Sequence, residues 1–151
     1  MDFRRSRPCD LSGIIEIEEA SFPDPFSQKD VLSYLCCDDG MCFSALDGDT
    51  VIAYVIGRKI PPEAEIYRVA VKESHRRRGI GYRLLSYALK TERGSGVESV
   101  FLEVRKANLA ARRLYLSHGF TEIGERKNYY KNPTDDAIIM LKQSRANAEF
   151  L

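Results

Sequence analysis

The chain lacks most of the features that would assign it to a special class. It carries 23 Lys and Arg against 22 Asp and Glu, a net charge of +1. That balance leaves no electrostatic footprint for nucleic acid or for an anionic membrane. No uninterrupted apolar segment approaches the roughly 20 residues of a bilayer-spanning helix. The basic N-terminus has no apolar core behind it that would make a leader, so a cytoplasmic protein is expected. Histidine is scarce, with His75 and His118 the two present. The four cysteines, Cys9, Cys36, Cys37 and Cys42, do not match common zinc spacings and lie far in sequence from both histidines. Buried, reduced thiols and no metal are therefore expected. Repeats, low-complexity segments and linkers are also missing, which predicts one domain over residues 1–151, with 143–151 as a tail.

What is present is ordinary in amount and informative in order. Hydrophobic residues make up 44% and charged residues 30%, the balance of a globular domain with a genuine core. Residues 3–8 read as an opening strand, and Asp10 is placed to cap a helix carrying Leu11, Ile14, Ile15 and Ile17. The two prolines of Ser21-Phe22-Pro23-Asp24-Pro25-Phe26 force a loop, which either walls a substrate groove or only connects. Ser27 then caps a second helix. Residues 41–46 and 51–58 are strands joined by the hairpin signal Asp47-Gly48-Asp49, and Pro61-Pro62 ends the second. A strand over 66–71 leads through a basic turn to a helix with Ile80, Leu84, Leu85, Ala88 and Leu89 on one face. Residues 97–104 are nearly all apolar, which predicts a central strand. Asn108 caps the next helix, with Ala111, Leu114, Tyr115 and His118 on one face and Gly119 closing it. Strands over 121–127 and 137–141 end the pattern. The order β-α-α-β-β-β-α-β-α-β-β predicts a mixed sheet with helices on its faces and a right-handed parallel crossover over 66–104.

Four groups of residues stand out chemically. The turn His75-Arg76-Arg77-Arg78-Gly79-Ile80-Gly81 combines glycines, a helix start and guanidinium groups, the makings of a pyrophosphate site or of a plain solvated turn. Glu103 interrupts an apolar strand. It is either a general base with a pKa raised by burial or half of a salt bridge to Arg105 or a neighbouring strand. Tyr115 lies on an apolar helix face, as core packing or as a phenol that protonates a leaving thiolate. Tyr129 and Tyr130 are loop aromatics, structural or a lid, and His118 reads as a helix C-terminal cap.

Together these pieces resemble the GNAT superfamily of acetyl-coenzyme A-dependent N-acetyltransferases. Arg76-Arg77-Arg78-Gly79-Ile80-Gly81 resembles the pyrophosphate motif Q/R-x-x-G-x-G/A. Asn108 to Tyr115, followed by Gly119-Phe120, resembles N-x-x-A-x-x-L-Y-x-x-x-G-F. Within the superfamily the likeness is to RimI-type N-terminal protein acetyltransferases: Leu102-Glu103-Val104-Arg105 matches L-E-V-R, Arg126 with Asn128-Tyr129-Tyr130 matches R-x-N-Y-Y, and Asp136-Ala137-Ile138-Ile139-Met140 matches D-A-I-I-M. Ser21-Phe22-Pro23 with Phe26-Ser27 resembles their F-P-x-x-[WF]-[ST] loop, with Phe26 where many members have Trp and Asp24-Pro25 inserted.

The resemblance implies an α/β GNAT fold: a mixed, mostly antiparallel sheet of about seven strands with a parallel splayed pair, flanked by about four helices. It implies acetyl-CoA as cofactor, held by Val69, Ala70 and Val71 of the splayed strand, by Arg76, Arg77, Arg78, Gly79, Ile80, Gly81 and Tyr82 of the turn, and by Asn108. Glu103 would be the base, through a water, and Tyr115 the acid; Phe22, Phe26, Tyr129 and Tyr130 would meet the acceptor. The acceptor it implies is a protein N-terminal peptide, from a ribosomal protein in the RimI case. A small amine, a lysine side chain, and a non-catalytic acetyl-CoA-binding module are the alternatives. Neither nucleic acid nor membrane is an expected partner, and a monomer or weak dimer is the expected state.

Overall fold

The computed structural model describes residues 1–143. The expected tail therefore lies outside the described residues, except for Gln143, which ends a strand. In chain order the elements are β1 (Asp2–Arg5), α1 (Leu11–Ser21), α2 (Gln28–Cys36), β2 (Phe43–Asp47), β3 (Thr50–Ile60), β4 (Glu63–Val71), α3 (Ile80–Gly94), β5 (Ser99–Arg105), α4 (Leu109–Ser117), β6 (Thr121–Tyr130) and β7 (Asp135–Gln143). The strands form one sheet in the order β1-β2-β3-β4-β5-β7-β6. Every pairing is antiparallel except β4 with β5. This is the mixed GNAT sheet that the resemblance implied.

Each face of the sheet has its own core. Ile80, Leu84, Leu85 and Ala88 of α3 and Tyr115 of α4 pack with Ile66, Val100, Leu102 and Met140 on one side. Ile14, Ile15 and Ile17 of α1 and Val31 of α2 pack with Tyr54, Ile56 and Ala70 on the other. Burial in β5 alternates strictly, with Val100, Leu102 and Val104 buried and Phe101, Glu103 and Arg105 half-buried. Period-two alternation sends Glu103 to the face opposite α3.

Several local expectations change. The opening strand stops at Arg5, because the chain enters a 3-10 turn at Pro8–Asp10. Asp10 does not cap α1; its carboxylate accepts from the Arg7 N–H at 2.8 Å and pairs with Arg4 at 2.7 Å. Ser27 does cap α2, accepting from the Asp30 N–H at 3.1 Å. Of the four cysteines only Cys42 is buried, and burial pushes its thiol up to about 11; Cys9, Cys36 and Cys37 are exposed. Cys36 is not carried inside because α2 buries only Val31 of its own residues; Cys37 follows that helix, and Cys9 sits in the 3-10 turn. Glu92, fully buried on α3, instead pairs with Arg5 of β1 at 2.6 Å and with Lys59 of β3 at 3.1 Å.

The feature that shapes the site is a bulge in β4. Ile56 pairs with Arg68 and Gly57 with Ile66, so Tyr67 has no partner in β3. The extra residue turns the side chains of Tyr67 and Arg68 to the same face, where Tyr67 packs with the α1 and α2 core. Parallel pairing of β4 with β5 runs from Glu63 with Ser99 to Ile66 with Leu102 and stops at the same place. Beyond it β5 continues to Arg105, paired only with β7. Gly57 permits this geometry, since a Cβ there would sit 2.4 Å from the Glu65 carbonyl oxygen. Replacing Gly57 with Ala is expected to lower stability by about 1–3 kcal/mol in urea denaturation. Gly94→Ala, where a Cβ meets nothing within 4 Å, should be neutral or stabilising.

Candidate active site

Where β4 and β5 part, a cleft of about 860 Å³ opens. Its floor includes Val69 of β4 and Glu103 of β5, and one wall is α4, with its cap Asn108 and, two turns on, Tyr115. Phe22 and Phe26 of the α1–α2 loop form a second wall, and Tyr129 and Tyr130, the last residues of β6 rather than loop aromatics as expected, form a third. Eight of the residues singled out from sequence thus share one cavity, from five separate segments of the chain. Ala70 and Val71 do not line it. The Ala70 side chain belongs to the α1 and α2 core, and Val71 packs on the opposite one.

Strand alternation narrows the backbone contribution of β4. Lys72 N–H bonds the Ile52 carbonyl of β3 at 2.7 Å. In an antiparallel pair alternate residues bond the same neighbour, so Arg68 and Ala70 also face β3. Val69 and Val71 then turn their N–H and C=O groups to the edge that β5 has left. The Val71 carbonyl accepts from Arg76 Nε at 2.9 Å. Val69 is the residue whose backbone groups address the cleft.

The basic turn stands outside this cavity, at the start of α3. Gly79 is in the left-handed region at φ 73° with nothing within 4 Å of a would-be Cβ, a conformation suited to glycine. The first ladder bond here runs from Arg83 N–H to the Gly79 carbonyl at 3.0 Å. The N–H groups of Ile80, Gly81 and Tyr82 precede it and point from the positive end of the helix. A Cβ at Gly81 would meet Val71 at 3.4 Å and Leu114 at 3.8 Å, ordinary contact distances, so its side-chain position faces the packed interior while its N–H stays at the helix start. The Ile80 side chain is core. Arg76 is braced to the Val71 carbonyl and to Ser21 Oγ at 3.2 Å, while Arg77 and Arg78 are exposed. His118 is the α4 C-cap; its Nε2 lies 3.0 Å from the Tyr82 carbonyl, tying the two helices together.

Glu103 and Tyr115 differ in environment. Oε2 of Glu103 lies 3.2 Å from Arg126 Nε on β6, close enough for an ion pair. The two are not aligned as a hydrogen bond, so Oε2 is a buried acceptor without one. The partner is neither Arg105 nor an adjacent strand, because β7 lies between β5 and β6. Tyr115 is 4% exposed, and burial, helped by Tyr130, holds its phenol well above the usual range. Burial and the nearby Glu103 and Tyr129 push Tyr130 up to about 12. Both phenols are protonated at neutral pH and so have a proton to donate. Asn108 accepts the Ala111 N–H at 3.1 Å through Oδ1, so the cap uses its carbonyl and leaves its NH2 as a donor.

Two residues that sequence reasoning passed over hold the loop wall in place. Arg68 lies 4.1 Å from the Phe22 ring centroid and 4.2 Å from that of Phe26. Its Nη1 is 3.0 Å from Glu18 Oε2, and its Nη2 donates to the Asp24 carbonyl at 2.8 Å. Glu18, fully buried on α1, also accepts the Phe26 N–H at 2.8 Å and the Tyr54 hydroxyl. A glutamate four residues after Ile14 on the apolar stripe was the available signal. Arg105 does the same for the third wall. It donates to the Pro133 carbonyl at 2.8 Å and the Lys131 carbonyl at 3.0 Å, and stacks 4.5 Å from the Tyr130 centroid.

The parted strands, the left-handed glycine before α3 and the shared cleft define an acetyltransferase architecture, and the acetyltransferase (GNAT) family profile matches residues 11–120. The chain belongs to this family and is an N-acetyltransferase. It is 33% identical over 136 residues to the ribosomal protein bS18-alanine N-acetyltransferase of Escherichia coli (strain K12), covering 87% of this chain and 89% of that protein. Similarity to N-alpha-acetyltransferase RimI of Mycobacterium tuberculosis is 41% over 104 residues, 66% of this chain and 64% of that one. The crystal structure of the ribosomal-protein-S18-alanine N-acetyltransferase from Escherichia coli superposes with a TM-score of 0.87 at 30% identity, covering 94% of this chain and 92% of that one.

Glu18→Gln would leave the Arg68 guanidinium, 11% exposed, without its carboxylate. It is expected to cost about 3 kcal/mol in denaturant unfolding and to speed limited proteolysis between residues 22 and 26.

Proposed function

We propose that the chain transfers an acetyl group from acetyl-CoA to the N-terminal α-amine of a protein, with a ribosomal protein as the substrate class its relatives indicate. The observation that carries this reading is the convergence of Val69, Glu103 and Tyr115 on one cleft between parted strands, walled by Phe22, Phe26, Tyr129 and Tyr130.

The chain's own residues fit the cofactor. The unpaired edge of β4 at Val69 offers a strand partner to an amide-bearing arm, and Asn108 offers an amide beside it. The left-handed Gly79 and the leading N–H groups of α3 form an anion site, with open space where a side chain would otherwise stand. Arg77 and Arg78 remain available to add charge, whereas Arg76 braces the turn. When bound, acetyl-CoA supplies a thioester-activated acetyl group. The site needs no covalent enzyme intermediate, since a free amine attacks such a carbonyl directly.

Each residue then has a defined task. An α-ammonium has a reference pKa near 8, so at neutral pH one proton must be removed before attack. Glu103 accepts it at a carboxylate oxygen, through a water, the role suited to an acceptor with an unmet hydrogen bond. Val69 N–H polarises the thioester carbonyl in this reading, supported by its place on the unpaired edge of β4. Tyr115 donates its phenolic proton to the departing sulfur, and its raised pKa keeps that proton in place until then. Holding the amine beside the thioester supplies much of the rate.

Mass spectrometry of N-terminal peptides incubated with the protein and acetyl-CoA tests the reading; modification of lysine side chains or small amines alone would contradict it. Glu103→Gln should lower kcat by about 100-fold or more at pH 7, and the defect should shrink as pH rises above the amine's own pKa. The Tyr115 hydroxyl makes no hydrogen bond among the described residues. Tyr115→Phe should therefore cut turnover about tenfold or more while leaving the melting temperature within a degree or two of wild type.

A further inference from the structure

Glu65 lines the same cleft, yet the transfer chemistry does not use it. It lies one residue before Ile66, the last position at which β4 pairs with β5. Its neighbours Ala64 and Ile66 point into the α3 core, so its carboxylate shares the opposite face with Glu103. Every arginine near enough to neutralise it is engaged elsewhere. Arg58, directly across in β3, bonds Asp39 at 2.6 Å. Arg68 is held by Glu18, Arg105 by two backbone carbonyls, and Arg126 by Glu103. Among the described residues no ion pair reaches Glu65. Burial and the Glu103 charge both raise its pKa, and no cation acts in the opposite sense. The rings of Tyr34, Tyr67 and Tyr130 complete the surroundings, and Glu65 adds to the raised phenol pKa of the first two.

A half-buried carboxylate facing another carboxylate, flanked by aromatic faces and with its cations withheld, is a cation site. We infer that Glu65 selects acceptor peptides, binding a Lys or Arg side chain within the first three residues of the substrate. The inference rests on the reading of this cleft as the acceptor site: with the α-amine at Glu103, the adjacent side chains of the peptide lie over the neighbouring strand, at Glu65. The bound guanidinium or ammonium satisfies Glu65 and lessens its repulsion with Glu103.

The test uses peptides identical except for Arg or Gln at position one, two or three, all other residues being neutral. Two quantities are measured for wild type and Glu65→Gln: kcat/KM for acetylation, and peptide affinity for the CoA-loaded protein by fluorescence anisotropy. The expected Arg-to-Gln ratio at one of the positions is about tenfold in wild type, the size of one charge-assisted contact, and falls with salt. In Glu65→Gln it collapses to about one, and Glu65→Lys turns the preference toward a Glu-bearing peptide. A wild-type ratio near one at all three positions overturns the inference. So does a Glu65→Gln variant that weakens Arg and Gln peptides equally, the signature of a structural role. Glu65-dependent binding of Arg peptides without N-terminal acetylation would instead remove the transfer reading and leave the role of Glu65 standing.

Discussion

The close approach of Gly57 to the Glu65 carbonyl is the constraint on which the site depends. A side chain at residue 57 would collide with backbone, and backbone cannot step aside as a flexible side chain can. Glycine there lets β3 follow the Tyr67 bulge, and the bulge marks where β4 leaves β5. From that one contact come the unpaired edge at Val69, the cleft, and the turning of Tyr67 and Arg68 to a common face. An isolated glycine in an apolar strand is a bulge signal, and Gly57 carried it.

Charge is distributed so that most of it is structural. Glu18 with Arg68 and Glu92 with Arg5 and Lys59 join elements distant in sequence, while Asp10 with Arg4 pins the turn after β1. Arg68 and Arg105, which line the cleft, fix its two aromatic walls. The acids left facing the cavity are therefore the ones with chemical work available to them: Glu103 with an unmet acceptor and Glu65 with no cation. The same low-dielectric setting keeps Tyr115 and Tyr130 protonated. Carboxylates poised to accept a proton and phenols that carry one share one cavity.

Local signals were read with few errors. Ser27 and Asn108 cap their helices through the expected hydrogen bonds, Gly79 adopts the left-handed conformation that a strand-to-helix turn needs, and Gly48 turns the β2–β3 hairpin at φ 62°. The errors share a cause. Asp10 holds the cap position, yet its carboxylate is taken up by Arg4 and by Ser44 of β2, and three cysteines expected inside are exposed. In each case a neighbour far along the chain, or the lack of one, decided the outcome.

The sequence by itself therefore determined the order of elements, most caps and turns, the glycine-led start of α3, and the presence of Glu103 and Tyr115 on elements that a family likeness could assign. These depend on interactions spanning a few residues. Only the tertiary structure decided that β7 separates β5 from β6, that Glu103 pairs with Arg126, that of Val69, Ala70 and Val71 only Val69 lines the cleft, and that Arg68 and Arg76 are braces. Those outcomes depend on which strand lies beside which and on where one extra residue shifts the register. Such long-range steric facts leave no mark on any short stretch of the chain.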